Sequence, residues 1–340
     1  MTRDCLFYRP TMRLRFSCLL CVSLIFVVDQ QQAAGQSGEE PSEKNEQANP
    51  VESALSAVRN FPLPTLGGKQ FWTDFAWNDG WRLQQNAITE HWRLLSPKNV
   101  RYAWGNRLEC ESAMERHVTP PERQPDARII VMLHGLMRTS GSMSQVGKAL
   151  EDAGIERPVC FEYASTRRGV AAHAAALRHW LETLPGEPRI DFVAHSMGNI
   201  VIRHLIMDLQ RDGDPRGLLA RSGKFVMLGP PNHGANIARQ LGKLGLFETV
   251  TGQGGMELGP AWEAFEHRLA IPPFPFMIVA GDVQKSWLKN PLVEGPSDLI
   301  VRTEETKLDG ADAFHVLPVM HSLMMNDSTV QQLVVDFLSS

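Results

Sequence analysis

Residues 190–201 read IDFVAHSMGNIV: an apolar run, a serine, and a helix-compatible run with no spacer between them. A short, continuous apolar run is what a strand covered on both faces looks like. Turning from such a strand straight into a helix brings the two backbones close together, so the residues around the turn must be small. Ala194 and Gly198 stand two positions to either side of Ser196. That local pattern narrows the chain to folds in which a buried strand ends on a polar side chain and the chain doubles back as a helix.

The rest of the body repeats the theme. Ile129–Leu133 is another apolar run and ends in His134-Gly135, and a helical stretch follows from Ser142 to Ala153. Pro158–Tyr163 reads as a strand and Val170–Leu184 as a helix. The helix after Ser196 extends through Leu209, and Phe225–Leu228, Phe276–Ala280 and Phe314–Val319 read as three further strands. Val330, Leu333, Val334, Phe337 and Leu338 fall at helical spacing, which gives a final helix one packing face. Apolar strands alternating with helices indicate an α/β fold, a mostly parallel sheet with helices on both faces. In such sheets the chemistry gathers at the carboxyl ends of the strands.

Ahead of this body the pattern differs. Strand-like runs lie between Phe71 and Leu95, with Asn78-Asp79-Gly80 as a turn signal. Five of the eight tryptophans fall between Trp72 and Trp104, where packing of a β-layer on the main body explains them better than a carbohydrate platform. Residues 51–127 are therefore expected to be a β-rich segment packed on a catalytic domain over 128–340. The segment 36–50 has no large apolar group and reads as a flexible linker. Before it, Arg9, Arg13 and Arg15 precede the 13-residue run FSCLLCVSLIFVV, and Ala33, Ala34 and Gly35 follow. Basic flank, apolar centre and small-residue exit over 1–35 make an export signal, and the run is short of the ~20 residues a spanning helix needs. The expected location is periplasmic or secreted, with retention at a membrane if the signal stays attached.

Composition excludes several classes. With 34 Lys+Arg against 38 Asp+Glu the formal charge of the 340-residue chain is −4, which gives no electrostatic reason to expect nucleic acid as a partner. At 43% hydrophobic and 21% charged residues the chain is not intrinsically disordered. Five cysteines are too few for a disulfide scaffold, and their one CxxC, Cys18 to Cys21, lies inside the apolar run and makes no zinc site. Once a signal is removed only Cys110 and Cys160 remain, able to pair in an oxidising compartment or to stay as buried thiols.

The strand–serine–helix element is a nucleophile elbow, a strained turn that exposes the serine hydroxyl above the sheet. Its usual form is G-x-S-x-G, from which Ala194 departs while remaining small. An acyl-transfer nucleophile needs donors aimed at the developing oxyanion. The backbone N–H of Met197, just after the serine, supplies one, and the loop Leu133-His134-Gly135-Leu136 supplies the other through the N–H of Leu136.

At this point the chain resembles the α/β-hydrolase superfamily, and within it the bacterial lipase-like serine esterases. The resemblance is carried by LHGL (133–136), AHSMGN (194–199), LGPPNHGA (228–235), GPSD (295–298) and VLPVMHS (316–322), and so spans 128–340. It implies the order Ser, then Asp or Glu, then His. Of the histidines beyond the elbow helix, His315 sits inside a strand-like run, His267 in a polar segment and His233 in a loop. His321 follows the last strand and precedes the last helix, where a catalytic histidine belongs. Two aspartates compete for the acid, Asp282 at a strand end and Asp298 in a Gly/Pro loop. The resemblance favours Asp298, although related lipases place a glycine after this acid and here Leu299 follows.

The expected activity is ester hydrolysis through an acyl-enzyme on Ser196, acting on an acyl ester or lipid, with no metal or organic cofactor. A thioesterase, amidase or acyltransferase would use the same groups, and a non-catalytic binding module could keep the scaffold. The single glycine of LHGL, in place of the HGGG of short-chain esterases, resembles lipases that act on medium or long acyl chains. Ala235–Phe274 is the natural position for a cap, either a mobile lid in contact with a lipid surface or an ordinary surface insertion.

Overall fold

The computed structural model describes residues 63–64, 69–118, 127–155, 158–238, 247–284, 290 and 292–340. The export-signal and linker segments, 1–35 and 36–50, lie outside the described residues. The described residues belong to a single compact unit, 49–340.

Two sheets organise it. The first is antiparallel and five-stranded: β1 (Leu63–Pro64), β2 (Trp72–Asn78), β3 (Trp81–Asn86), β4 (Trp92–Leu95) and β5 (Val100–Gly105), in the order β1-β5-β4-β3-β2. Asp79 and Gly80, both at positive φ (46° and 81°), form the tight hairpin turn between β2 and β3. Helix α1 (Arg107–His117) closes one face of this sheet and buries Cys110 and Ala113 against Leu83, Trp92, Leu94 and Ala103. A capping box starts α1: the Asn106 side chain accepts from Glu109 N while the Glu109 carboxylate accepts from Asn106 N. The β-rich reading of 51–127 did not include this helix, although the Asn-x-x-Glu signature was legible.

The second sheet is fully parallel and six-stranded. It comprises β6 (Arg128–Leu133), β7 (Pro158–Phe161), β8 (Arg189–His195), β9 (Ser222–Leu228), β10 (Phe276–Gly281) and β11 (Ala313–Leu317), in the order β11-β10-β9-β8-β6-β7. Between them lie α2 (Ser144–Asp152), α3 (Val170–Glu182), α4 (Met197–Asp212), α5 (Leu218–Arg221), α6 (Phe247–Leu258), α7 (Trp262–Phe265) and α8 (Thr303–Thr306), and α9 (Ser328–Ser339) ends the chain.

The alternation within β6 shows why its sequence is continuously apolar. Ile129, Val131 and Leu133 face the core shared with α3 and α4, while Ile130 and Met132 face the core shared with α2 and α9. Methionines 143, 324 and 325 fill the second core and Met197 the first, so these four serve packing.

The antiparallel sheet joins the parallel one where β7 ends. Asp74 N donates to the Glu162 carbonyl (2.9 Å), and Ala164 N donates to Thr73 Oγ1 (3.2 Å). Phe75 and Trp77 pack against the core that α3 covers. Among the described residues no helix is long and apolar enough to cross a membrane. Cys110 and Cys160 form no disulfide with each other.

Candidate active site

Ser196 stands at the carboxyl end of β8, with φ 54° and ψ −123°, a conformation that L-residues rarely adopt. The neighbours hold it there. Ser196 N donates to the Leu228 carbonyl (2.9 Å), and Asn199 Nδ2 donates to the Ser196 carbonyl (2.9 Å). Gly198 shows why the turn needs small residues: a Cβ there would come 2.8 Å from both the His134 carbonyl oxygen and Leu133 Cβ. Gly135 is likewise confined, since its Cβ would lie 3.0 Å from Ser196 Cβ and from His195 Nδ1. The His134–Leu136 loop therefore lies directly against the serine turn. Ser196 is half-buried, while Met197 beside it is fully buried.

Asp298 and His321 meet beyond β10 and β11, which lie two and three strands along the sheet from β8. His321 Nδ1 donates to Asp298 Oδ2 at 2.6 Å, and His321 N donates to the Asp298 carbonyl at 3.0 Å. The other carboxylate oxygen, Oδ1, accepts from Ile300 N (2.9 Å) and Val301 N (2.7 Å). Asp298 is fully buried, and its two oxygens are satisfied by these three donors, so its orientation is fixed. Gly281, at the end of β10, allows the approach: a Cβ there would fall 2.3 Å from the Val319 carbonyl oxygen and 2.6 Å from Asp298 Cβ. Leu299 takes φ 81°, the left-handed conformation that a glycine would adopt without strain.

The rival aspartate is placed elsewhere in its bonding. Asp282 Oδ1 accepts from Gln284 N (2.9 Å), and the carboxylate bonded to His321 is that of Asp298. Of the other histidines, His315 lies within β11, His267 in a short 3-10 turn, and His233 on an exposed loop 3.5 Å from Glu266. No hydrogen bond joins Ser196 Oγ to the His321 ring among the described residues. The N–H groups of Leu136 and Met197 carry no intramolecular hydrogen bond there, whereas Met137 N donates to Ser165 Oγ (3.1 Å).

A second histidine, which the sequence reading passed over, sits behind the first. His195 Nε2 donates to the His321 carbonyl (3.0 Å), with the two rings 4.6 Å apart. Burial, then the nearby His321, pushes its pKa well below the ordinary histidine value, so the ring is neutral and its Nε2 proton ties down the His321 backbone.

The segment proposed as a cap is described over 235–238 and 247–274. Its glycines allow close packing: α6 breaks at Gly252 (φ 67°), whose Cβ would overlap the Thr166 carbonyl, and a Cβ on Gly254 would lie 2.9 Å from Met197 Sδ. Glu257 caps α3 by accepting from Val170 N (2.7 Å). Arg203 on α4 holds the far end, donating through Nε to the Ala270 carbonyl (2.9 Å) and through Nη1 to Asn232 Oδ1 (3.1 Å).

The chain matches no protein-family model and no curated protein sequence. Among solved structures it is similar to the mature form of the Bacillus licheniformis lipase BlEst2. That likeness has 14% identity and a TM-score of 0.50, covering 65% of this chain and 95% of that one. The propeptide form of the same lipase matches at 14% identity and a TM-score of 0.51, over 63% of this chain and 51% of that one, about half its length. At these identities the likeness concerns architecture alone, and the architecture it shows is the α/β-hydrolase fold.

Proposed function

We propose that the protein is a lipase-like serine hydrolase that cleaves carboxylic esters through an acyl-enzyme on Ser196. The observation that carries this reading is the buried Asp298–His321 pair, held by loops at the carboxyl ends of β10 and β11, in the same layer as a serine at positive φ at the end of β8. With Nδ1 of His321 bonded to Asp298, Nε2 is left to act as the base. It takes the Ser196 hydroxyl proton as Oγ bonds to the acyl carbon, and the carbonyl electron pair moves onto oxygen. The Leu136 and Met197 N–H groups, which have no other acceptor, receive that oxyanion. Collapse breaks the bond to the alcohol oxygen, which leaves with the proton from His321. Water then gives a proton to His321 as its oxygen bonds to the acyl carbon, and collapse breaks the bond to Ser196 Oγ, which takes the proton back from His321 as the acid leaves. The hydrogen bond from Ser196 to His321 is one that commonly tightens only when substrate binds. The same reading takes the chain as exported and its substrate as an acyl ester or lipid.

The test is hydrolysis of p-nitrophenyl esters from two to sixteen carbons by wild type and Ser196→Ala, together with labelling by a fluorophosphonate. Serine-dependent turnover rising with acyl length supports the lipase-like reading, and turnover confined to short chains moves it to a small-ester esterase. Absence of both turnover and labelling in folded wild type overturns it in favour of a binding module.

A further inference from the structure

The loop 134–140, between β6 and α2, carries the Leu136 N–H, and both of its ends meet one buried side chain. Glu162, just past β7, accepts through Oε2 from Ser140 N (3.1 Å) and Ser140 Oγ (2.5 Å) at the loop's far end. Its Oε1 lies 3.3 Å from His134 Nε2 at the near end, while His134 Nδ1 donates to the Gly135 carbonyl (2.9 Å). Tyr163 adds to the near end: its hydroxyl donates to the His134 carbonyl (2.5 Å), and its ring stacks on the imidazole at 4.2 Å and 10°. Between these anchors Met137 sits at φ 58°, a conformation that persists only where the surroundings over-determine it. Glu162 and His134 are 1% and 0% exposed. Burial pushes the Glu162 pKa up, but His134 and Ser140 outweigh it, and the carboxyl ends below its usual range.

Glu162 is in turn held from the antiparallel sheet. Glu162 N donates to Asp74 Oδ2 (2.8 Å), and Asp74 N returns a bond to the Glu162 carbonyl (2.9 Å). Asp74 Oδ1 accepts from Gln84 Nε2 (2.6 Å), and Gln84 Oε1 accepts from Arg93 Nε (2.9 Å). The Arg93 guanidinium lies 3.7 Å over the Trp72 ring. A buried polar chain thus runs from β4 through β3 and β2 to the carboxylate that grips the loop.

We infer that Glu162 is the positioning residue of the 134–140 loop and that the N-terminal antiparallel sheet braces it through Asp74. The catalytic consequence rests on the reading of Leu136 N–H as an oxyanion donor, whereas the structural claim concerns the loop itself. Glu162→Gln keeps the shape but removes the negative charge that accepts from Ser140 N and Oγ at one end and faces His134 at the other, weakening the hold on the loop. Hydrogen–deuterium exchange of the full chain is then compared over 134–140 and over 190–209, with melting temperature and p-nitrophenyl ester kinetics measured on the same preparations. The expected result is exchange at 134–140 faster by about threefold or more with 190–209 unchanged. It is accompanied by a kcat lower by about tenfold at a KM within about threefold, short of the 10²–10³ lost with an oxyanion donor itself. Affinity for a trifluoromethyl ketone, which forms an oxyanion on the serine, falls with kcat. Asp74→Asn, remote from the loop, gives the same pattern in weaker form. If Glu162→Gln does not fold, Ser140→Ala loosens the far end alone and is read the same way.

Unchanged exchange at 134–140 overturns the inference. So does faster exchange spread equally over 190–209 with kcat following the melting temperature, the mark of a merely structural residue. Selective loosening of the loop in a protein that neither turns over ester nor labels at Ser196 upholds the brace and removes the serine reading instead.

Discussion

Asp298 Oδ2 accepts from His321 Nδ1 at 2.6 Å while its Oδ1 is held by the Ile300 and Val301 N–H groups. The carboxylate therefore fixes both the tautomer and the tilt of the imidazole. Asp298→Asn keeps an oxygen for the two backbone donors but presents an amide N–H to His321 Nδ1, forcing the wrong tautomer. A loss of about 10³–10⁴ in kcat is expected on a p-nitrophenyl ester, with Asp282→Asn within about twofold of wild type. Equal losses in the two variants would show that the acid is not Asp298.

Leu299 adopts φ 81° immediately after Asp298. Relief of a strained left-handed leucine is worth about 1–3 kcal/mol. Against it stand the added chain entropy of glycine and the loss of a half-buried side chain, each about 1 kcal/mol. Leu299→Gly is thus expected to unfold in urea within about 1 kcal/mol of wild type, unlike an ordinary apolar deletion. A loss well beyond that would mean the side chain's packing, and not the backbone conformation, holds the loop.

Burial pushes Asp74 up from 3.8 to about 6. Between about pH 4 and 6 the folded protein keeps a proton that the unfolded chain has released, so this group's contribution falls as pH rises through that window. A shift of about two units corresponds to about 3 kcal/mol. The difference in unfolding free energy between wild type and Asp74→Asn should follow this course, with wild type losing ground from pH 4 to 6 and level above 7. A difference that is flat across the range would rule out the raised pKa.

Cys110, buried between α1 and the antiparallel sheet, has its thiol pushed up to about 12 by burial and then by Glu109. Because the thiolate is the reactive form, iodoacetamide at pH 8 should leave Cys110 unmodified in folded protein and alkylate it after denaturation. Peptide mass spectrometry reads both states, and modification of Cys110 in the native protein would show that α1 opens readily.

Sequence alone located the serine turn because everything it needs lies within twelve residues: strand, small flanks, serine and helix are consecutive, and local sterics decide the conformation. The continuous apolar runs likewise announced strands covered on both faces, and chain order placed His321 after the last strand. The helix α1 went unread even though its capping box was local, since the tryptophan-rich strands around it dominated the pattern.

The choice between Asp282 and Asp298 was different in kind. Both follow β10, and composition and periodicity treat them alike. Only the parallel pairing of β10 with β11, which sets Gly281 opposite Leu317, shows which carboxylate the returning His321 loop meets. Glu162 was more deeply hidden, lying 22 residues from Ser140 and 88 from Asp74 in the chain. It reaches both because β7 lies beside β6 and β2 docks where β7 ends. Hydrophobic spacing records which face of its own element a residue occupies. Which distant side chain a polar group meets is set by strand order and by the docking of one sheet on another, and those are decided only when the whole chain packs.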